Sequence, residues 1–404
     1  MARLAPIRLL LVCLAVLVFA EEPLMAATRS RTPLPRRAGS RRPPAPPREA
    51  LDIERLRLVP ADSHPSDIPT CDVLVVGGGL GGVAAAQALA SQGISVILTE
   101  PTSRLGGQLV AQGVAAPDEN RFIEQTPGVG TRTYRELREA IRAYYAAQPG
   151  ILPNRARNVG QCWVSRISAE PEVWEQAIRA RLEALAGAGG IRRILTRHQL
   201  IAVSRFRRSG QYHFADFVDL DTGRVTRVAS RFLLDATEMG DALALAGMPW
   251  TVGQEARSEH GEPHAPEVAR PDWIQSFTYC FFLRWQPQGP HTLVEKPEEY
   301  EFFKSLGEYT LEYRYSDPPR TVRYRVFDTA PGAAGPFWTY RRLVAAASFR
   351  DHPRYTTDLV LMNWRGNDFH EENPIGQPLA EQLRILRRAR AFAQGFLYWL
   401  QTEC

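Results

Sequence analysis

Residues 72–100 constrain the fold of this chain more than any other stretch. An apolar run, Asp72-Val-Leu-Val-Val76, leads into Gly77-Gly-Gly-Leu-Gly-Gly82, then a helix-like segment to Gly93, then Ile94-Ser-Val-Ile-Leu-Thr-Glu100. This spacing predicts a strand, a glycine turn, a helix and a second strand that ends in an acid. Gly77 permits a sharp turn out of the first strand. Gly79 lets backbone approach a pyrophosphate, and Gly82 lets the helix lie on the sheet. The helix N-terminus offers free N–H groups and positive dipole character to phosphate. Glu100 lies 18 residues beyond Gly82, where a carboxylate can accept hydrogen bonds from ribose hydroxyls. The unit implies an α/β domain with a parallel sheet and a dinucleotide pocket.

The sequence pI of about 9.0 invites a nucleic-acid reading, which the placement of charge removes. The first 50 residues hold nine Arg and three Glu, a net +6 against +5 for the whole chain, so residues 51–404 sum to −1. The basic excess belongs to the N-terminal segment. There Arg3 and Arg8 precede an apolar run of 12 residues, Leu9 to Ala20, with small residues at Ala26-Ala27. The run is too short for an ordinary transmembrane helix and reads as an export signal over residues 1–27. This places the protein in the periplasm or outside the cell, with retention by the N-terminal segment as the alternative. Residues 28–68 are rich in Pro, Arg and Ser at their start and read as a solvated linker. Cys71, Cys162, Cys280 and Cys404 are widely spaced, which points to neither a zinc site nor a C-x-x-C redox pair.

Further along, Arg135 to Ala147 has helical character, and Pro171 opens a helix to about Ala188 with apolar residues at three- and four-residue steps. A β-rich block follows: Ile194 to Phe206, Tyr212 to Leu220, an Asp221-Thr-Gly223 turn, and Val225 to Leu234. The turn between alternating runs predicts a hairpin. After Gly247 the chain becomes aromatic, with Trp250, Trp273, Phe277, Tyr279, Phe281, Phe282 and Trp285 close together. Residues 69–247 are therefore expected to form the nucleotide-binding domain. Residues 248–370 are expected to form a β-rich substrate or cap domain over the cofactor. Residues 371–404 are read as a final helix returning to the first domain.

Two more motifs narrow the family. Arg104-Leu-Gly-Gly-Gln108 follows the acid directly, and Leu233-Leu-Asp-Ala-Thr-Glu-Met-Gly-Asp241 brings the chain back to the same sheet. With the first unit, these resemble the bacterial FAD-dependent oxidoreductases of the glutathione-reductase-like fold, over most of residues 70–400. The resemblance implies an α/β, Rossmann-like FAD-binding domain, FAD as cofactor and a small organic or sugar-like substrate whose hydride passes to flavin N5. It implies cofactor contacts at Gly77, Gly79, Gly81, Gly82, Glu100, Gly106, Gly107, Gln108, Asp235, Ala236, Thr237 and Asp241. Gly106 and Gly107 would give the extended flavin a second side-chain-free approach. Two departures stand out: Glu238 replaces the family's usual Gly, and no Gly-Asp pair follows Asp241. The latter leads us to expect that the closing flavin segment is missing.

In such enzymes the flavin carries the electron chemistry and the protein positions the substrate. The resemblance places Gln108 to Asp118 near the ring, with Gln112 as a hydrogen-bonding candidate. A second polar cluster, Asn363 to His370, contributes Asp368 and His370 as candidate bases. His260 and His264 flank Gly261 and Pro263 and lack a third ligand nearby, so no metal site is expected. No nucleic-acid partner is expected, nor any membrane contact beyond the export signal. The oligomeric state is open. Two other readings remain: a non-catalytic scaffold that keeps the fold, and an NAD-dependent dehydrogenase using the same ADP cradle.

Overall fold

A computed structural model describes residues 68–205, 213–286 and 292–404. The expected export signal, nearly all of the expected linker, and Phe206 and Tyr212 at the ends of two expected strands lie outside the described residues. The organising element is strand β1 (Thr70–Val76), which pairs in parallel with β2 (Val96–Glu100) on one side and β6 (Val225–Asp235) on the other. β1 reads as a continuous apolar run because both of its faces are covered. Val73 and Val75 enter the core under helices α1 (Leu80–Ser91) and α3 (Pro171–Gly187), to which α2 (Arg132–Ala146) adds Ile141 and Tyr145. Leu74 and Val76 enter a second core with Ile97, Leu200 and Phe217.

The six-stranded sheet has the order β3-β2-β1-β6-β5-β4. The expected strand Ile194 to Phe206 is two strands, β3 (Ile191–Thr196) and β4 (His198–Arg205). Arg197 separates them with a φ of 61°, which lets β3 stay in the parallel half while β4 opens an antiparallel meander. β5 (His213–Asp219) and β6 form the predicted hairpin around Asp221-Thr-Gly223. β6 is long enough to serve both halves, pairing with β5 through residues 225–230 and with β1 through residues 229–235. Its register sets Asp235 beside Val76, which lies beside Thr99. Three parallel strands thus end together, and Gly77, Glu100 and Ala236 emerge side by side.

The second half is built on a sheet ordered β11-β12-β8, from Arg342–Val344, Leu359–Met362 and Phe281–Arg284. Short pairs β9–β10 (Glu312–Ser316, Pro319–Arg323) and β7–β13 (Phe277–Thr278, Asp368–Phe369) flank it. Its strands alternate between two cores. Leu361 belongs to the core under α1 and α3, and Leu359 and Phe282 pack against that core. Val360 and Met362 belong to a separate aromatic core, with Phe281 and Leu283 packed on it. The expected boundary between 69–247 and 248–370 is therefore no clean cut, because residues 343–361 complete the core of the first unit.

The final helix (Leu379–Thr402) corrects a second expectation. It buries Ile385, Ala389, Phe392 and Phe396 in the aromatic core with Tyr300, Phe303 and Tyr309, instead of returning along its length to the first domain. The spacing of these apolar residues makes one helical stripe, and the aromatic core is the surface that matches it. Only the first turns, through Gln382, border the first domain beside Asp241 and Leu243.

Two contacts tie the loop after β2 to the helices. Trp174 of α3 is fully buried, and its indole N–H donates to the Ala115 carbonyl at 3.1 Å. Glu124 pairs with Arg138 and Arg142. Burial alone would raise its carboxyl, but the two guanidinium groups outweigh burial and hold it at about 2, against an ordinary 4.5. We expect Trp174→Ala to destabilise the fold by about 3–5 kcal/mol in denaturant unfolding, through lost packing and the cavity left behind. A depressed carboxyl stabilises the fold above its unfolded value and loses that contribution as the pH falls through its folded value. Stability should therefore decline as the pH falls from about 4.5 towards about 2, and Glu124→Gln should flatten that part of the stability profile.

Candidate functional site

The site grows from the shared end of β1, β2 and β6. Gly77 turns the chain out of β1 with a φ of 103°, and its N–H donates to the Thr99 carbonyl at 3.0 Å. A Cβ here would lie 2.3 Å from the Ala236 carbonyl oxygen. Gly82, one turn into the helix, packs equally close: its Cβ would fall 1.8 Å from the Gly77 oxygen. These two positions let helix, turn and returning strand touch through backbone alone. Gly81 faces open space, so the N-terminal turn of α1 presents an uncovered surface.

Glu100 is buried at the mouth of the turn. One carboxylate oxygen accepts from the Gly78 N–H at 2.7 Å, and the other accepts from the Thr102 N–H at 2.9 Å. Burial pushes this carboxyl upwards, with the Thr102 and Gly78 hydrogen bonds working against the rise. Gly106 and Gly107 fold back onto the turn. The Gly106 N–H donates to the Gly78 carbonyl at 2.8 Å, and a Cβ on Gly107 would sit 2.9 Å from the Gly79 Cα. Gln108 is exposed beside them.

The β6 loop contributes differently from what its motif implies. Asp235 and Thr237 shape the loop itself. Asp235 accepts from the Thr237 N–H and hydroxyl at 2.9 and 2.7 Å, and from the Leu243 N–H at 2.9 Å. Thr237 Oγ1 accepts from the Asp241 N–H at 2.8 Å. Asp241 is buried and lines a cavity of about 160 Å³ bounded by the 250–251 and 375–382 segments. The groups that reach the glycine turn are Ala236, the Thr237 backbone nitrogen and the Glu238 carboxylate. Glu238 carries no motif signal beyond its departure from glycine.

The catalytic candidates separate in space. His370 is exposed, with Nε2 3.5 Å from a Glu371 oxygen and 4.0 Å from one of Glu308. Asp368 is half-buried and accepts from the Thr278 hydroxyl. Burial raises its carboxyl, opposed by Thr278 and by the charges of His370, Arg341 and Arg365. Asn363, in the same expected cluster, donates to Cys280 Sγ at 3.5 Å, and burial pushes that thiol up to about 11. Asn367 is a structural member of the cluster, donating to the Tyr279 carbonyl at 2.9 Å and accepting from the Trp364 N–H at 2.8 Å.

The segment carrying Gln112 is clamped onto this second group. Gly113 packs on the Phe282 ring, and Arg341 donates to the Ala116 carbonyl at 2.7 Å. Arg341 is only 6% exposed, and its nearest carboxylate is Asp118 at 3.3 Å. Its Nε is buried without a hydrogen-bond partner in the described structure. A buried guanidinium is costly unless paired, and Arg341 meets that cost through Asp118 and the Ala116 carbonyl, a role that sequence pattern did not reveal. Gln112 itself is half-buried next to Gly113. Among the described residues, no cluster of three or more His, Cys, Asp or Glu side chains is arranged to hold a metal.

Comparison with known proteins places this architecture. The model of a family described as FAD dependent oxidoreductase matches residues 72–404. Amine oxidase [flavin-containing] B of Sus scrofa is 34% identical over 77 residues, covering 16% of this chain and 15% of that protein. The Homo sapiens protein is 32% identical over the same length, with the same coverage. This chain thus spans only about 15% of the length of these relatives. Among solved structures, the flavoprotein/dehydrogenase from Cytophaga hutchinsonii is similar at 14% identity and a TM-score of 0.29, over 44% of this chain and 42% of that one. Aklavinone-11 hydroxylase, solved with FAD and aklavinone, is similar at 15% identity and a TM-score of 0.25, over 40% and 32%. The match across residues 72–404 settles the assignment: the chain belongs to the FAD-dependent oxidoreductase family.

Proposed function

We propose that this enzyme removes a hydride from a small organic or sugar-like substrate, with the glycine turn holding the ADP half of FAD. The observation that carries the reading is the convergence of Gly77, Gly82 and Gly107 on one uncovered helix N-terminus beside Glu100. With the Glu238 side chain turned aside, the glycine backbones leave room for a diphosphate there, and the Glu100 carboxylate offers ribose an acceptor. FAD held in this turn would supply a two-electron acceptor for the substrate's hydride.

The rest of the work falls to the second group of residues. Asp368 is the better base of the two candidates: burial raises its proton affinity, whereas His370 faces solvent between two glutamates. A carboxylate with a raised pKa can take a proton from a substrate hydroxyl or amine as the hydride leaves. Phe282 and Arg341 hold the 112–118 segment in place, which would keep Gln112 and the neighbouring backbone in register with the substrate.

Purified protein should show flavin absorbance, and Gly82→Ala should lose most of it, because its Cβ would meet the Gly77 carbonyl. Anaerobic mixing with a panel of small alcohols, amines and sugars should bleach the bound flavin for at least one member. Failure of the whole panel with flavin-loaded enzyme would remove the hydride-transfer reading. With the substrate found, Asp368→Asn should slow flavin reduction by about 10²–10⁴-fold while leaving flavin content unchanged.

A further inference from the structure

Glu238 enters the glycine turn directly from the end of β6. A Cβ on Gly79 would lie 2.7 Å from Glu238 Oε1, and one on Gly107 would lie 3.0 Å from the same oxygen. One carboxylate oxygen therefore rests on the backbones of the two glycines whose missing side chains make the cradle. The N-terminal turn of α1 directs its free N–H groups and positive dipole end to this place, and α1 carries no charged side chain. Among the described residues no hydrogen bond or ion pair tethers Glu238, and its outer side is exposed.

The other charged groups around the turn do not cancel it. Glu100 faces it from the end of β2 and is itself acidic. Arg104, which leads into Gly106-Gly107, is committed to Glu175 at 2.8 Å and Glu172 at 3.6 Å. From its own loop, the Asp235 carboxylate is turned to Thr237 and Leu243, and Asp241 is buried at the start of the short helix Asp241–Leu245. The turn is built for an anion, yet an acidic side chain already stands in it.

We propose that Glu238 sets the affinity of the turn for its dinucleotide: its carboxylate stands where the diphosphate must lie, and it excludes the diphosphate while ionised and turned inwards. FAD then seats when Glu238 is neutral or has swung out to solvent. This rests on the glycine turn being the ADP cradle. Burial against the turn pushes the Glu238 carboxyl above its ordinary range. As the pH falls through that raised value the repulsion disappears, so FAD affinity should rise towards acid pH.

The test is FAD titration of flavin-free protein from about pH 4 to about pH 8, a range that contains the ordinary carboxylate value and extends well above it, followed by flavin fluorescence quenching. Wild type should bind more tightly at the acid end. Glu238→Gln should bind about tenfold more tightly than wild type at the alkaline end and lose the pH dependence, as expected when a like charge is removed from a partly desolvated contact. Glu238→Gly should behave as Glu238→Gln does, so the result does not hang on one variant. Equal or weaker binding by both variants across the range would overturn the proposal. Gly79→Val, in the same titration, tests the cradle separately. If it loses FAD while Glu238→Gln matches wild type, the cradle stands and the role of Glu238 falls. If it binds as wild type does, the cradle reading fails and takes the proposal with it.

Discussion

The backbone contact between Gly77, Gly82 and Ala236 is the constraint on which the rest of the site depends. A helix start, a strand end and a returning strand meet there with no side chain between them; the Cβ positions of the two glycines fall within 1.8–2.3 Å of carbonyl oxygens. Such contact is possible only for glycine, and it brings the dipole end of α1 over the ends of three parallel strands. Glu100 then has one place to go, and it is held there by the Gly78 and Thr102 N–H groups.

The second half of the chain is coupled to this site through a shared sheet. Because β12 alternates, Leu361 completes the core of the first unit while Val360 and Met362 fill the aromatic one. A sheet that serves two cores fixes their relative position, since shifting one face would unpack the other. The Glu170 network adds a polar tie: its carboxylate accepts from Tyr355 at 2.8 Å and from Arg354 at 2.7 Å. The 112–118 segment lies across this junction, held by Trp174 from one side and by Phe282 and Arg341 from the other. A substrate bound there would meet a preorganised wall.

Much of the first unit was legible because its signals are local. The glycine spacing, the apolar run of β1, the Pro at the start of α3 and the Asp-Thr-Gly hairpin each reflect interactions within about 30 residues, the size of a βαβ unit. The break between β3 and β4 was not legible, since Arg197 takes its left-handed conformation from the meander it opens. The partner of the final helix was missed for a similar reason. Its apolar stripe says that one face is buried, but not whether Tyr309 or the first domain covers it.

The sequence by itself determined the parallel α/β core, the glycine turn and the acid at the end of β2, because strand period, helix period and glycine conformation are properties of the local chain. Only the tertiary structure decided which polar groups reach the turn. Asp235 and Thr237 look like cofactor ligands in the motif, yet they close their own loop. Glu238 looks like a chance substitution, yet its carboxylate stands between Gly79 and Gly107. Arg341 has no motif at all, yet it is buried against Ala116 across 225 residues of chain. Burial and long-range register choose these partners, and neither is written in the spacing of residues along a single element.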